Sequence, residues 1–78
     1  KFSARGLRVS SPRVVGRDHL KMEVADGNDV KEAIGFGLGG EKPPEGGRMD
    51  LVFTPEINSW QGVPRIQLRI ADMRPSTQ

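Results

Sequence analysis

The chain has 78 residues, no cysteine, one histidine and a formal net charge of +2. This length allows one domain with a small core, and the missing cysteines exclude a disulfide framework and a thiolate metal site. No apolar run approaches the roughly 20 residues of a membrane span, and no signal-peptide pattern is present, so we predict a cytoplasmic location.

The charges are unevenly distributed along the chain. Residues 1–21 carry six Lys or Arg against one Asp, residues 22–56 carry three against eight acids, and residues 57–78 carry three against one Asp. If the two outer segments meet in the fold, their charges form one basic stripe opposite an acidic middle. Ordinary solvated faces explain the same imbalance equally well.

All the elements predicted along the chain are strands. Apolar residues alternate with period two, Gly or Pro interrupts every stretch, and no window has helical apolar spacing. We predict strands at about 5–15, 19–26, 30–38, 48–57 and 63–74. The segment Gly39–Gly47 is a loop by composition.

The second and third strands are predicted to form a hairpin through a three-residue loop, Gly27–Asp29. This register places Leu20 opposite Phe36 and Met22 opposite Ile34, so the large apolar side chains of both strands enter the core. The outer face would then hold His19, Lys21 and Glu23 beside Ala33, Gly35 and Gly37. We therefore expect basic side chains beside a nearly bare strip of backbone.

The fourth and fifth strands are predicted to pair through a four-residue loop, residues 59–62. Met49, Leu51 and Phe53 share an apolar face on the fourth strand. Apolar residues of the fifth strand must therefore lie opposite them. The predicted cross-strand pairs are Phe53 with Leu68, Leu51 with Ile70, Thr54 with Gln67 and Glu56 with Arg65. Pro55 lacks an N–H group, so we expect a bulge or a sheet edge there.

Five short strands with one apolar face cannot bury enough surface as an open sheet of this size. We predict closure into an all-β, five-stranded OB-like barrel, because closure removes the strand edges. An SH3-like barrel has a similar strand count and is the alternative topology. The helix usual between the third and fourth OB strands would be missing or reduced to a turn. Residues 1–75 form the one predicted domain, and residues 76–78 a tail or linker.

Three segments, VVGRDHLKM, AIGFGLG and EINSWQGVPRIQLRIADMRP, resemble the OB domain of RecJ-type exonucleases. The similarity spans about Val14 to Pro75. The residues that carry it are Gly16, His19, Leu20, Lys21, Ala33, Ile34, Phe36, Asn58, Gly62, Gln67, Leu68, Asp72 and Arg74. Because the chain begins with Lys1 rather than Met, we expect a fragment or a processed piece, and the resemblance implies a larger parent nuclease.

The resemblance implies a single-stranded-DNA-binding domain of an enzyme that degrades DNA from the 5′ end in repair and recombination. The implied partners are single-stranded DNA, the catalytic domains of the same parent chain and single-strand-binding protein. Cleavage would belong to a separate core that holds a divalent metal, Mn or Mg. This fragment has no paired-His motif, so we predict no catalytic residue, no metal and no cofactor in it.

Eight residues are predicted to contact DNA on these grounds. They are Arg17, His19, Lys21, Gly35, Trp60, Arg65, Gln67 and Arg69. The basic members suit phosphate contacts, although solubility explains outward cations as well. The glycines between residues 35 and 40 do not form a P-loop, because no Lys-Ser/Thr pair or helix start follows. Tight curvature of the barrel explains Gly35 and Gly37, and close approach of a DNA backbone is the additional hypothesis.

The rings among the candidates have two interpretations each. His19 suits a phosphate or base contact, or a structural bond to a loop carbonyl. Trp60 suits base stacking, or a lid over the barrel end. Phe36 and Phe53 are predicted to lie in the core. With so few exposed aromatic residues, the alternative function is a structural or protein-docking barrel that braces the nuclease or binds a partner.

Overall fold

The computed structural model describes residues 1–77, apart from the side chain of Trp60. Five strands span nearly the whole chain: β1 (Phe2–Val15), β2 (His19–Asp26), β3 (Asp29–Gly35), β4 (Arg48–Trp60) and β5 (Val63–Pro75). They form a closed barrel in the order β1-β2-β3-β5-β4. Only the β3–β5 contact is parallel among these pairs. The predicted all-β, OB-type barrel is confirmed.

The connection between β3 and β4 contains a single short 3-10 turn, Gly39–Glu41. The amide of Gly39 donates a 2.9 Å hydrogen bond to the carbonyl of Asp18, which fastens this turn to the β1–β2 turn. The expected reduction of the inter-strand helix is therefore confirmed. Within the described residues, no helix is long and apolar enough to cross a membrane.

The barrel interior contains only apolar side chains among the described residues that are buried. Every strand contributes, and the members are Leu7, Val9, Leu20, Met22, Val24, Ala33, Met49, Leu51, Leu68 and Ile70. The inward faces predicted for β2 and β4 are confirmed, and Phe53 packs against this core as predicted.

The β2–β3 hairpin differs from the prediction by one residue. Asp26 pairs with Asp29, so the loop has two residues rather than three. Leu20 pairs with Gly35 and Met22 with Ala33, and both β3 partners are buried. The predicted register is therefore wrong. The bare outer strip expected at Ala33 and Gly35 does not exist, because these residues face the core.

Two local features explain this register. Gly27 has a φ of +63°, which suits the first position of a tight two-residue hairpin turn. Leu38 fills the space that a larger β3 side chain would need: a Cβ built on Gly35 would lie 2.6 Å from Leu38 Cδ1. Small inward residues on β3 therefore leave room for Leu38, whereas Phe36 is 52% exposed.

The β4–β5 hairpin also closes through two residues rather than four. Gln61 and Gly62 have φ values of +50° and +80°, as tight hairpin turns of the mirror-image type require. The observed pairs are Phe53 with Ile70, Thr54 with Arg69, Pro55 with Leu68, Glu56 with Gln67 and Asn58 with Arg65. The predicted pairing was therefore wrong by two residues. A two-residue shift preserves the faces, which is why the inward set was still correct.

Beyond the barrel, β4 and β5 continue as a two-stranded ribbon. The β1–β4 pairing ends at Phe2 with Phe53, and β3 contacts β5 only from Gln67 to Arg69. Residues 57–60 and 63–66 consequently pair only with each other among the described strands. Pro55 lies at this sheet edge, as predicted. Ile57 in the ribbon is 77% exposed.

Candidate nucleic-acid interface

The outer wall of the barrel is organised in cross-strand rows. Lys21 on β2 pairs with Ile34 on β3, and Ile34 pairs with Arg69 on β5. Paired residues point to the same face of a sheet, so the three side chains lie in one row on the outside. Arg13 on β1 extends this row, because it pairs with Lys21. We call Arg13, Lys21 and Arg69 the basic row.

An exposed aromatic cluster lies beside the basic row. The ring of Phe36 meets the His19 ring edge-on, with 5.2 Å between the ring centroids. The guanidinium carbon of Arg69 lies 5.1 Å from the Phe36 centroid, which is a cation–π contact. Sequence reasoning placed Phe36 in the core and missed this cluster. The Gly27-Asn28 dipeptide, which suits a two-residue hairpin turn, was the signal that indicated the correct face.

His19 is held in position by the adjoining turns. Its Nδ1 atom accepts a 3.1 Å hydrogen bond from the amide of Gly37. A neutral imidazole that accepts at Nδ1 carries its proton on Nε2, so a donor remains available on the ring. On the other side, the ring packs closely over Gly16, where an added Cβ would lie 3.2 Å from His19 Cδ2. The backbone of two turns thus orients the ring beside Phe36.

A second row, of carboxylates, runs parallel to the basic row. Glu23 pairs with Glu32, Glu32 with Gln67, and Gln67 with Glu56 along the cross-strand register. We call Glu23, Glu32 and Glu56 the carboxylate row. Gln67 links it by donating a 2.9 Å hydrogen bond to Glu32, while its carbonyl accepts one of 2.9 Å from Asn58.

Each cation of the basic row contacts a member of the carboxylate row. Arg13 lies 3.4 Å from Glu23 and 3.9 Å from Glu32, Lys21 lies 3.6 Å from Glu32, and Arg69 lies 3.6 Å from Glu56. Such exposed pairs stabilise a fold by only about 0–1 kcal/mol each. Their main consequence is electrostatic: the basic and acidic side chains of the wall balance each other, so the prediction of a cationic wall is wrong.

The remaining predicted residues are distributed around this wall. Arg17 in the β1–β2 turn and Arg65 in the ribbon are exposed, and neither makes an ion pair within the described part of the chain. Gly35 is buried and faces the core, so it lies behind the outer wall and not on it. The prediction for Trp60 rests on a side chain outside the described residues. The structure thus brings His19, Lys21, Gln67 and Arg69 together, with Arg17 and Arg65 at the two margins.

No set of three or more His, Cys, Asp or Glu side chains in the described residues is arranged to hold a metal ion. Among the described residues, Asp50 has a clearly shifted pKa, and it lies away from the wall. Asp50 accepts a 2.9 Å hydrogen bond from the amide of Gly6, and this bond, aided by Arg74 at 3.4 Å, lowers the pKa of the Asp50 carboxyl.

A closed five-stranded barrel of this order, with an open outer wall, defines the chain as an OB-type domain. The family model described as the RecJ OB domain matches residues 1–72, nearly the whole chain. The chain therefore belongs to the RecJ OB-domain family, as the three resembling segments predicted. No curated protein matches it.

Proposed function

We propose that this domain binds single-stranded DNA across its outer wall and guides the strand into the catalytic core of a RecJ-like 5′-to-3′ exonuclease. The single observation that carries the proposal is the exposed Phe36 ring between His19 and Arg69. An aromatic face on an OB barrel is a sequence-tolerant platform for an unstacked base. Membership of the RecJ OB-domain family supports this use of the wall.

The cations without an ion pair supply the phosphate contacts in this proposal. Arg17 and Arg65 lie at opposite ends of the wall, in the β1–β2 turn and in the β4–β5 ribbon. A DNA strand whose bases stack on Phe36 can extend its backbone toward Arg17 at one end of the wall or Arg65 at the other. Because its contacts are stacking and phosphate contacts, the domain would bind without sequence preference.

Fluorescence anisotropy with a labelled single strand tests the proposal directly. A strand of roughly 12 nucleotides suits the site size of an OB barrel. We expect affinity to weaken with salt at a slope of about −0.7 per phosphate contact. Absence of binding at low salt and high protein concentration would contradict the proposal.

A second candidate function, protein docking, is favoured by the ribbon. Ile57 and Ile66 form a cross-strand pair on one face and are 77% and 48% exposed. A two-stranded ribbon is marginally stable alone, so an apolar face on it suits a covering surface. The catalytic domains of the parent chain or single-strand-binding protein would supply that surface under this alternative.

The two functions separate in the intact nuclease. Changing Lys21, Arg65 and Arg69 together to Ala should lower DNA affinity and processivity if the wall binds DNA. A matched variant, Ile57→Ala with Ile66→Ala, should lower partner binding if the ribbon docks a protein. Unchanged DNA affinity in the triple variant, with weakened partner binding in the double variant, would favour docking.

The wider role belongs to the same proposal. The parent enzyme would be a metal-dependent hydrolase of single-stranded DNA in repair and recombination, with its Mn or Mg ion in the catalytic core. This domain would contribute binding and leave cleavage to that core. Disulfides are rare in the reducing cytoplasm, and a chain without cysteine is compatible with that location.

A further inference from the structure

The carboxylate row has a consequence for the kind of nucleic acid that the wall accepts. Glu23, Glu32 and Glu56 stand one row from the basic row, on the same outward face. Their side chains are 36%, 39% and 40% exposed, so an approaching ligand meets negative charge as well as positive. The three carboxylates match the three cations in number, so these six residues have no net charge.

A duplex is poorly suited to such a wall. Its outside is a dense array of phosphates, and its affinity for proteins depends on cations that replace condensed counterions. On this wall every cation of the basic row is already paired with a carboxylate. Phosphates placed over the wall would therefore gain little attraction and would meet Glu32 and Glu56 at close range.

A single strand avoids this cost because it can direct its bases toward the protein. Unstacked bases can pack on the exposed Phe36 ring and on the half-buried Ile34 side chain, which lies between Lys21 and Arg69. Base edges also find polar partners in the hydrogen-bonded chain from Asn58 through Gln67 to Glu32. The phosphates then point away from the carboxylates, toward solvent and the margins at Arg17 and Arg65.

We infer that the carboxylate row is a specificity device that excludes duplex and selects single strands bound with their bases against the wall. This inference rests on the proposed function and adds the residues responsible for discrimination. Glu32 and Glu56 are the decisive members, because each contacts a cation beside the aromatic cluster, Lys21 and Arg69 respectively. Removing their charge should release those cations for the phosphates of a duplex, whereas a single strand bound through its bases keeps its phosphates away from them and gains little.

The test compares single-strand and duplex affinity in wild type and in Glu32→Gln/Glu56→Gln. Both oligonucleotides have roughly 12 nucleotides per strand, and the measurement is made at low ionic strength, where exposed charges are least screened. Gln preserves side-chain size and the acceptor for Gln67. We expect duplex affinity to rise about tenfold and single-strand affinity by no more than about twofold. Glu41→Gln, outside the wall in the 3-10 turn, is the matched control and should change neither.

The possible results distinguish a failure of this inference from a failure of the proposed function. A fall of about fivefold or more in the single-strand preference supports the inference. Wild-type binding to single strands, with an unchanged preference in the variant or an equal rise for both ligands, overturns the inference and leaves the proposed function intact. Failure of the wild type to bind either ligand overturns both. If the double variant does not fold, Glu56→Gln alone repeats the test, since its one ion-pair partner among the described residues is Arg69.

Discussion

The guanidinium carbon of Arg69 lies 5.1 Å from the centroid of the exposed Phe36 ring, on the outside of the barrel. The contact joins β5 to the residue that follows β3. These two strands are distant in sequence and pair in parallel in the sheet. A cation over one part of an aromatic face restrains the ring and leaves its remaining surface open to a ligand. Phe36 is therefore a preformed element of the proposed interface.

Phe36→Ala should weaken single-stranded DNA binding more than any single charge change on the wall. Base stacking on an aromatic residue is worth about 1–3 kcal/mol by alanine substitution, so affinity should fall roughly 5- to 150-fold. Anisotropy titration measures the loss. Phe2→Ala is the control, because Phe2 is also exposed (60%) but lies at the start of β1, away from the β1–β2 turn and His19. Equal binding by Phe36→Ala and wild type would exclude the stacking platform.

Gly35→Ala should destabilise the barrel although it adds a single methyl group. The new Cβ would lie 2.6 Å from Cδ1 and 3.2 Å from Cβ of Leu38, so one side chain must shift. Overpacking of this kind costs about 1–3 kcal/mol in the free energy of unfolding, measured by urea denaturation. Gly40→Ala has open space around the added atom and should stay within about 0.5 kcal/mol. Equal stability of the two variants would show that Leu38 yields without cost.

Leu20→Ala and Ile57→Ala should differ widely in stability. Leu20 is fully buried in the core, and truncation of such a residue costs about 2–5 kcal/mol. Ile57 is 77% exposed on the ribbon, so its truncation should stay within about 0.5 kcal/mol. Thermal or urea unfolding of both variants provides the comparison. A large loss in Ile57→Ala would mean that the ribbon packs on something in solution, such as a second molecule.

Asp50 should make the free energy of unfolding depend on pH in the acidic range. The hydrogen bond from the Gly6 amide holds the pKa of Asp50 below its ordinary value in the folded protein. A lowered folded pKa means that protonation favours the unfolded chain. The contribution is therefore complete above the ordinary aspartate pKa of about 4 and is lost as the pH falls through the folded value.

Asp50→Asn tests this dependence by urea unfolding at several pH values. The variant should be less stable than wild type at neutral pH, and the difference should shrink as the solution is acidified. Asp26→Asn, at the exposed end of β2, is the matched control. A difference between Asp50→Asn and wild type that stays constant from neutral to strongly acidic pH would contradict the role of the Gly6 contact.

Much of the fold was predictable because strand patterns are local. Alternation alone identified the inward residues of β2 and β4, and Gly and Pro content identified the loop that replaces a helix. Cross-strand partners were harder to predict, because a register shift of one residue exchanges the two faces of a strand. That shift placed Phe36 in the predicted core, although the structure exposes it.

The candidate site was predictable only in part for the same reason. His19, Lys21 and Arg69 lie on the outer wall as alternation predicted, because their own strands were assigned the correct faces. Their partners were not predictable from spacing. Arg69 meets Glu56 through the β4–β5 register, and Lys21 meets Glu32 through the β2–β3 register, and both registers differed from expectation.

The amino-acid sequence by itself determined an all-β barrel, its apolar strand faces and its membership of the RecJ OB-domain family. The tertiary structure decided which β3 face is buried, and with it the exposure of Phe36. The physical reason is steric: Leu38 returns over Gly35 and occupies the volume that a larger inward side chain would need. Closure of the barrel likewise decided the charge of the wall, because it brought basic and acidic residues from separate segments into adjoining rows.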